Sequence, residues 1–368
     1  MMIEFCDLSK GQVHANSGIS EFQQFKPSEH VKGPFKVWER NNSRRWNYDF
    51  HWKRPTAELN PIGFYKINNL IVTRPGGTML TQHFGYHCAT GRDNMRSIPP
   101  SDDYFASSSK NKIIIEDEVV VGDGVAFDVW GHWLVDYLPR FGLVDWMDHD
   151  RFASMKILLP SYAPGWVGRF LNIACNVSKE NIIKYDPNTE IVLCKKAIVP
   201  SYCYTNEFSF HSFMKEFYTS LCPRIPESEK NKKLLVSRSD FSHSNRKFPN
   251  RDLFEAIGRE RGYEIILPEK LSLEDQIAIF TQASMIVGEH GSGMHSAVFS
   301  GPDTVIGCLG FWNAVQLHIG YLMGHQNVYL TTGCEWPTPD KNEFQIGCTE
   351  EDLNSFFDKM AELEPIRE

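Results

Sequence analysis

The sequence MIVGEHGSGM, at residues 285–294, passes from an apolar strand through a glycine-rich loop into a predicted helix. Met285–Val287 is the strand, Gly288-Glu289-His290-Gly291-Ser292-Gly293 is the loop, and the helix is expected from Met294 onward. Ligands of open parallel sheets bind at the carboxyl ends of the strands, and glycines let the backbone approach them closely. Because the first N–H groups of a helix attract anions, the pattern indicates a diphosphate site.

Polar side chains accompany the glycines of this loop. His290 and His295 could donate to phosphate or sugar oxygens, and Glu289 could accept from hydroxyls, with Ser292 between them. The alternative is that the glycines only close a tight turn between strand and helix. The loop is neither a Walker motif, since no Gly-Lys-Ser/Thr follows, nor a GxGxxG fingerprint.

The segment around this loop alternates between strands and helices. Strands are predicted at Lys233–Val236, Tyr263–Leu267 and Thr304–Leu309, and helices at Arg251–Arg261 and Ser272–Ala283. Such alternation predicts a parallel sheet with helices on both faces. In the second helix Ser272 is the expected N-cap, with Asp275 in a capping-box-like position.

Two arginines follow the first strand of this unit. Arg238 comes directly after the strand, and Arg246 and Asn250 follow in the next loop. A strand that ends there would bring Arg238 and Arg246 to the sheet edge that carries the glycine-rich loop, where Arg binds phosphate oxygens bidentately. A solvated basic surface loop is the alternative.

A second group of candidate residues lies upstream, on the predicted helix Gly131–Asp148. His132 and Asp136 are four residues apart, so they share a helix face. One could act as a general base and the other could orient it; Asp136 is slightly favoured as the base. Arg140 lies on the same face and could anchor Asp136 or a phosphate. The alternative is an ordinary histidine at the helix start beside a solvated aspartate.

Length and composition restrict the class of protein. The 368 residues suit two α/β domains, with 42% hydrophobic and 23% charged residues. The net charge of −8 and the lack of a long Lys/Arg run speak against nucleic-acid binding. No apolar stretch approaches the roughly 20 residues of a membrane span. With nine scattered cysteines and no secretory signal, a cytoplasmic location is expected, which allows peripheral association with a membrane.

Four segments are expected from these patterns. Residues 1–60 would form an irregular N-terminal extension, and residues 61–225 an acceptor-side α/β domain with strands at Asn68–Thr73 and Lys112–Val121. Residues 226–340 would form a donor-binding, Rossmann-like domain after a linker at Pro223–Lys233. Residues 341–368 would form a C-terminal helix that could pack back on the first domain.

Three of these motifs together resemble glycosyltransferase family 61. The matching pieces are Gly131-His132-Trp133-Leu134-Val135-Asp136-Tyr137-Leu138-Pro139-Arg140, Ser237-Arg238 with Arg246 and Asn250, and Gly288-Glu289-His290-Gly291-Ser292-Gly293-Met294. Ser292, Met294, Ser296 and Arg251 depart from the residues usual in the family, where Arg251 replaces a common Glu. The departures bear on the donor and its hydroxyl contacts more than on the fold.

The resemblance implies a GT-B fold, in which two Rossmann-like domains face each other across a cleft. It also implies a nucleotide-sugar donor, usually UDP-linked, with inversion at the anomeric carbon and no strict metal requirement or other cofactor. The expected activity is transfer of a hexosyl or pentosyl group to a hydroxyl of a glycan or glycolipid acceptor, in bacterial surface polysaccharide assembly. A non-catalytic nucleotide-sugar or glycan-binding protein on the same scaffold is the alternative.

Overall fold

The strands predicted between residues 61 and 121 belong to one large sheet in the computed structural model of the chain. The structure describes residues 4–7, 11, 13, 18–32, 37–40, 56–74, 77–81, 84–87, 108–122, 124, 126–204, 209–240, 246–311, 314–335 and 344–365. The chain divides into two units: unit 1 comprises Met1–Val31 and Ala57–His211, and unit 2 comprises Lys32–Thr56 and Ser212–Glu368.

The first twelve strands are, in chain order, β1 (Glu4–Asp7), β2 (Ile19–Lys26), β3 (Glu29–Lys32), β4 (Val37–Arg40), β5 (Thr56–Leu59), β6 (Ile62–Arg74), β7 (Gly77–Thr81), β8 (Phe84–His87), β9 (Asn111–Val121), β10 (Lys156–Pro160), β11 (Ile182–Tyr185) and β12 (Glu190–Pro200). The large sheet of unit 1 has the order β1-β8-β7-β6-β12-β9-β10-β11, with β2 on β6. Strands β12, β9, β10 and β11 run parallel to one another, whereas β6 pairs antiparallel with β12. β3 pairs with β5.

The helical elements of unit 1 are α1 (Trp130–His132), a π-helix (Trp133–Tyr137), α2 (Leu138–Met147), α3 (His149–Phe152), α4 (Gly165–Cys175) and a 3₁₀ turn (Lys179–Asn181). α2 packs against α4, and both helices contain buried apolar residues. The helix predicted over Gly131–Asp148 is therefore present, but it is interrupted by the π-helix.

The remaining elements belong to unit 2. They are, in chain order, α5 (Ser212–Leu221), β13 (Lys232–Val236), β14 (Arg246–Lys247), α6 (Arg251–Glu260), β15 (Glu264–Ile266), α7 (Leu273–Thr281), β16 (Ala283–Glu289), a 3₁₀ helix (Ser292–Phe299), β17 (Val305–Leu309), α8 (Ala314–Met323), β18 (Gln326–Leu330), β19 (Cys334–Glu335), β20 (Phe344–Ile346) and α9 (Glu350–Glu362), with 3₁₀ turns at Glu227–Glu229 and Pro268–Lys270. Ser272 caps α7 as predicted, since its side chain accepts from the Asp275 N–H.

The main sheet of unit 2 is parallel throughout, with the order β15-β13-β16-β17-β18-β4. The first five strands follow the doubly wound order 2-1-3-4-5. In this order the connections change direction between β13 and β16, and ligands of such sheets bind at the carboxyl ends of the strands at that point. The mixed α/β class is confirmed; the GT-B arrangement stays a prediction.

Several segment boundaries differ from those expected. β4 comes from the segment predicted as an irregular extension, although residues 41–55 of that segment lie outside the described residues. The predicted linker Pro223–Lys233 lies inside unit 2, and α5, upstream of it, packs on the 3₁₀ helix Ser292–Phe299. The C-terminal helix α9, considered for packing on the first domain, buries Phe356 and Met360 in the core of unit 2.

No helix in the described part of the chain has both the length and the apolar character needed to cross a lipid bilayer.

The N-terminus of α9 provides a test of the capping interactions in unit 2. Thr349 and Asp352 form a capping box, in which each side chain accepts from the other residue's backbone N–H. We expect Thr349→Ala to lower the free energy of unfolding of unit 2 by about 1 kcal/mol, because an N-terminal N–H loses its partner. Urea unfolding measures this loss, and Thr349→Ser, which keeps the hydroxyl, should retain most of the stability. An equal loss in both variants would contradict the capping role.

Candidate functional site

The first candidate site lies on the helical segment that follows β9. α1 ends at His132, and the π-helix that follows is marked by a hydrogen bond from the Leu138 N–H to the carbonyl oxygen of Trp133, five residues back. π-turns within helices are frequent at functional sites. Asp136 lies inside this π-turn, and His132 lies directly before it.

Pro139 explains why the helix widens at this place. Proline has no N–H, and in a regular α-helix its ring clashes with the carbonyl four residues earlier, which is that of Val135. A π-turn immediately before Pro139 changes the hydrogen-bond register and relieves that clash. The same Leu-Pro-Arg sequence that carries the family resemblance therefore shapes the backbone beneath Asp136.

The side chains of His132 and Asp136 form a hydrogen-bonded dyad, with 2.6 Å between His132 Nδ1 and Asp136 Oδ2. The histidine side chain is 20% exposed and the aspartate side chain 5% exposed. Asp136 Oδ1 is buried and has no hydrogen-bond partner among the residues that the structure describes. A buried carboxylate that orients a partly exposed imidazole is a recurring arrangement for general-base chemistry.

Glycines after β9 bring the preceding loop close to this helix. A Cβ on Gly124 would lie 2.4 Å from the hydroxyl of Tyr137, and a Cβ on Gly122 would lie 2.4 Å from the ring of Phe141. Both positions therefore require glycine for close packing. The helix that carries the dyad is thereby held at the carboxyl end of β9.

Arg140 has a different role from the one expected. Its side chain is fully buried, and Nε and Nη2 donate to the carbonyl oxygen of Pro200 at 3.0 and 2.8 Å. Its guanidinium also lies 4.1 Å from the centre of the Tyr202 ring. These contacts join α2 to the end of β12, so Arg140 supports the fold at this place instead of anchoring Asp136 or a phosphate.

A second pair with the same spacing offers a comparison. Asp145 Oδ1 lies 2.7 Å from His149 Nδ1, but His149 is 64% exposed and lies beyond the π-turn. Burial raises the pKa of Asp145, and the hydrogen bond from His149 opposes this shift. The two pairs have similar hydrogen bonds, and they differ in the exposure of the histidine and in the backbone around them.

The second candidate site lies in unit 2, where β13 and β16 end side by side. Val236, the last residue of β13, is in register with Gly288. A Cβ at Gly288 would lie 2.9 Å from the Val236 carbonyl oxygen and 2.6 Å from the sulfur of Met294. Arg238 and the glycine-rich loop thus leave the sheet together, at the point where the strand order reverses.

The helix after this loop differs from the one predicted. It begins at Ser292 instead of Met294, and it is a 3₁₀ helix that ends at Phe299. The residues from Met294 to Phe299 are buried, with His295 among them. The first N–H groups of a 3₁₀ helix also lack intrahelical partners, so an anion can still bind there, but the dipole of a longer α-helix is missing.

A charged cluster borders the loop. Glu289, 2% exposed, accepts from Arg251 at both carboxylate oxygens, at 2.6 and 3.1 Å. This hydrogen bond raises the pKa of Arg251, whereas burial lowers the pKa of Arg238, an effect that the charge of Glu289 opposes. Glu289 was expected to accept from sugar hydroxyls, but in this structure both of its oxygens contact Arg251.

The sequence marked Arg251 only as a departure from the family pattern. In the structure Arg251 is the ion-pair partner of Glu289, the acidic residue in the loop. Glu289 is also the feature of the sequence that could have predicted this partner. A buried carboxylate requires a cation nearby, and the start of α6 provides it.

The other residues predicted for this site differ in the element on which they lie and in their burial. Asn250 precedes α6 and donates to the carbonyl oxygen of Cys348 at 2.9 Å, so it ties two backbone segments of unit 2 together. His290 is partly buried and its ring lies 6.2 Å from that of Phe311. Ser292 is partly exposed at the first position of the 3₁₀ helix. Arg246 lies in β14, which pairs with β20, and its side chain is outside the described residues.

The family model described as Glycosyltransferase 61 matches residues 130–307, just under half of the chain. The matched segment begins at α1 and ends in β17, so it contains the dyad, Arg238 and the glycine-rich loop. The resemblance to glycosyltransferase family 61 seen in the sequence is thereby confirmed for this segment, and it supports the class of glycosyltransferases. No curated protein sequence matches the chain.

The ion pair beside the loop yields a stability prediction. Arg251→Ala leaves the buried carboxylate of Glu289 without its cation, so we expect it to lower the free energy of unfolding by roughly 3 kcal/mol. The matched control is Arg261→Ala at the end of the same helix. Arg261 pairs with Asp358, which is 63% exposed, and such a pair contributes about 0.5 kcal/mol. Chemical denaturation measures the free energy of unfolding of both variants. Equal losses would show that the Arg251–Glu289 pair stabilises the protein no more than an exposed ion pair does.

Proposed function

We propose that the protein is an inverting glycosyltransferase that moves a sugar from a UDP-linked donor to a hydroxyl group of a glycan or glycolipid acceptor. The family match supports glycosyl transfer, and the donor, the acceptor class and inversion are part of the proposal. Unit 1 supplies the base, and unit 2 binds the diphosphate. Metal independence also belongs to the proposal and rests on the family resemblance alone. The GT-B arrangement and a role in bacterial surface polysaccharide assembly have the same basis.

The observation that carries the proposal is the hydrogen bond between His132, which directly precedes a π-turn, and the buried Asp136 within that turn. It favours His132 as the base, whereas the sequence slightly favoured Asp136. Asp136 accepts the Nδ1–H with one oxygen, and its other oxygen is buried, so an acceptor hydroxyl cannot reach this carboxylate. The hydrogen bond fixes the tautomer of His132 so that Nε2 is the nitrogen that can take a proton.

The proposed reaction is a single displacement at the anomeric carbon of the donor sugar. Nε2 of His132 takes the proton of the acceptor hydroxyl while its oxygen forms a bond to the anomeric carbon of the donor sugar. The bond between that carbon and the diphosphate oxygen breaks from the opposite side, which gives inversion. The nucleoside diphosphate leaves with the electron pair, and cations and N–H groups must stabilise its added charge.

Unit 2 has groups suited to that charge. Arg238 follows β13 at the reversal of the strand order, beside the N-terminus of the 3₁₀ helix that starts at Ser292. Arg238 and Arg251 lie close enough to interact with each other, and Glu289 and Glu269 offset part of the charge of Arg238. A diphosphate would complement the charge of Arg238, which can bind it bidentately.

The base assignment is tested with two histidine variants. We expect His132→Ala to lower kcat by roughly 100- to 10,000-fold, because general-base catalysis contributes about that much. His149→Ala removes a histidine with the same hydrogen-bonding geometry outside the π-turn and should leave kcat unchanged. Transfer of sugar from radiolabelled UDP-sugars to an acceptor panel is the measurement.

A third variant separates orientation from structure. Asp136→Asn keeps the size of the side chain but no longer fixes the His132 tautomer, so kcat should fall and its pH profile should change while the thermal unfolding temperature is kept. Wild-type transfer by His132→Ala would exclude His132 as the base. Donor binding without transfer in the wild-type protein, across the panel, would instead favour the non-catalytic binding protein.

Donor binding is tested by thermal shift with UDP, GDP and CMP compounds. We expect a UDP compound to stabilise the protein, by about 2.7 kcal/mol at roughly 100 times its Kd. Arg238→Gln should weaken this stabilisation, since it removes the cation beside the loop. Lys270→Gln, in an exposed pair with Asp240, is the control. A response to CMP compounds alone, or equal binding in Arg238→Gln and Lys270→Gln, would overturn the diphosphate assignment.

A further inference from the structure

A groove in unit 1 lies apart from both candidate sites. It has a volume of about 520 Å³ and is formed by α4, the 3₁₀ turn Lys179–Asn181, the end of β10 and the strand β11 at the edge of the described sheet. Sites for small organic ligands typically span roughly 300–1,000 Å³. The groove is therefore large enough for such a ligand.

Glycines on one face of α4 keep the groove open. Gly165, Gly168, Arg169 and Asn172 recur at helical spacing and all line it. A Cβ on Gly165 would meet nothing within 4 Å, and a Cβ on Gly168 would lie 3.2 Å from Cδ1 of Ile182. Larger residues at these positions would fill the space between the helix and the edge strand.

The floor of the groove is apolar. Leu159 on β10 and Val167 on α4 are buried, as is Val177 after the helix, and Ile182 on β11 is partly buried. Leu159 is in register with Lys184, so the floor continues outward to the exposed edge of the sheet. Apolar surface of this kind favours a hydrocarbon chain, at about 25 cal/mol for each Å² removed from water.

The rim of the groove is basic. Its charged residues are Arg169, Lys179 and Lys184, all exposed, and no acidic residue is among the described residues that line it. This contrasts with the net charge of −8 of the whole chain. Lys184 Nζ donates to the Ala163 carbonyl oxygen at 3.0 Å, which holds its charge at the groove.

Two neighbouring features agree with this charge. The N-terminus of α4 lies at the groove through Gly165, and its first turn has no acidic residue. Glu180, next to Lys179 in the chain, hydrogen-bonds to Ser178 and does not line the groove. The charged side chains that line the rim are therefore all positive, while Glu180, outside the lining, interacts with the charge of Lys179.

We propose that this groove binds an anionic lipid, with its hydrocarbon chain on the apolar floor and its phosphate at the rim formed by Arg169, Lys179 and Lys184. The charge complementarity selects a phosphate over a neutral or cationic head group, and the floor selects a chain over inorganic phosphate. Binding is non-covalent, and it does not depend on the proposed glycosyl transfer.

The experiment is calorimetric titration of the 368-residue chain with decyl phosphate. We expect saturable one-to-one binding. Inorganic phosphate, decyl maltoside and decyltrimethylammonium should each bind at least about tenfold more weakly, since each lacks either the chain or the negative charge.

Two variants locate the site. Gly165→Leu fills the groove from a position where a side chain has room, and it should abolish binding. Arg169→Gln with Lys179→Gln removes two rim charges and should raise the Kd of decyl phosphate at least about tenfold. Lys112→Gln with Lys196→Gln removes two exposed charges elsewhere in unit 1 and should leave it unchanged.

If Gly165→Leu fails to fold, the double variant of Arg169 and Lys179 still tests whether decyl phosphate binds in this groove. If the rim variant and the Lys112/Lys196 control lose the same affinity for decyl phosphate, the ligand is attracted by the overall charge only. That result would overturn the assignment of the binding site to this groove. Binding of decyl maltoside as tight as that of decyl phosphate, or no binding of decyl phosphate, would overturn the anionic lipid.

Discussion

Close approach of two parallel strands is the constraint on which unit 2 depends. β13 and β16 end together because Gly288 has no side chain to collide with the Val236 carbonyl oxygen and Met294. The strand order reverses between these two strands, so no crossover helix covers their carboxyl ends, and a ligand can approach the backbone there. Arg238 and Ser292 take their positions from the same geometry. A side chain at Gly288 would therefore disturb the sheet, the loop and the arginine at once.

The charges beside the loop follow from that packing. Glu289 is the last residue of a strand that is buried along its whole length, and burial of a carboxylate is costly unless it is paired and hydrogen-bonded. Arg251, the first residue of α6, supplies the partner with two hydrogen bonds. Arg251 is thus the cation that pairs with the acid of the loop, and Arg238 remains as a further positive charge close by.

Regular elements were predictable from the sequence because their apolar residues have clear periods. The strands of unit 2 and the cap of α7 at Ser272 are examples. Elements that depend on distant partners were not predictable. β4 is a short segment whose strand conformation comes from pairing with β18, far along the chain. The pairing of Arg251 with Glu289 and the contact of Arg140 with Pro200 depend on tertiary structure in the same way. Helical spacing correctly placed His132 and Asp136 on one face, but it could not reveal which of them is buried.

Burial is what decides between these two residues as the base. A spacing of four residues on a helix brings an aspartate and a histidine together, whichever of the two acts as the base. The Asp145–His149 pair shows that the chain forms such a contact without a π-turn. Asp136 is 5% exposed, whereas His132 is 20% exposed. A proton taken from an acceptor must go to the group that the acceptor can reach, and the buried group can then orient that group and stabilise its positive charge. In the proposed reaction His132 is therefore the base and Asp136 its support, with 2.6 Å between the two side chains.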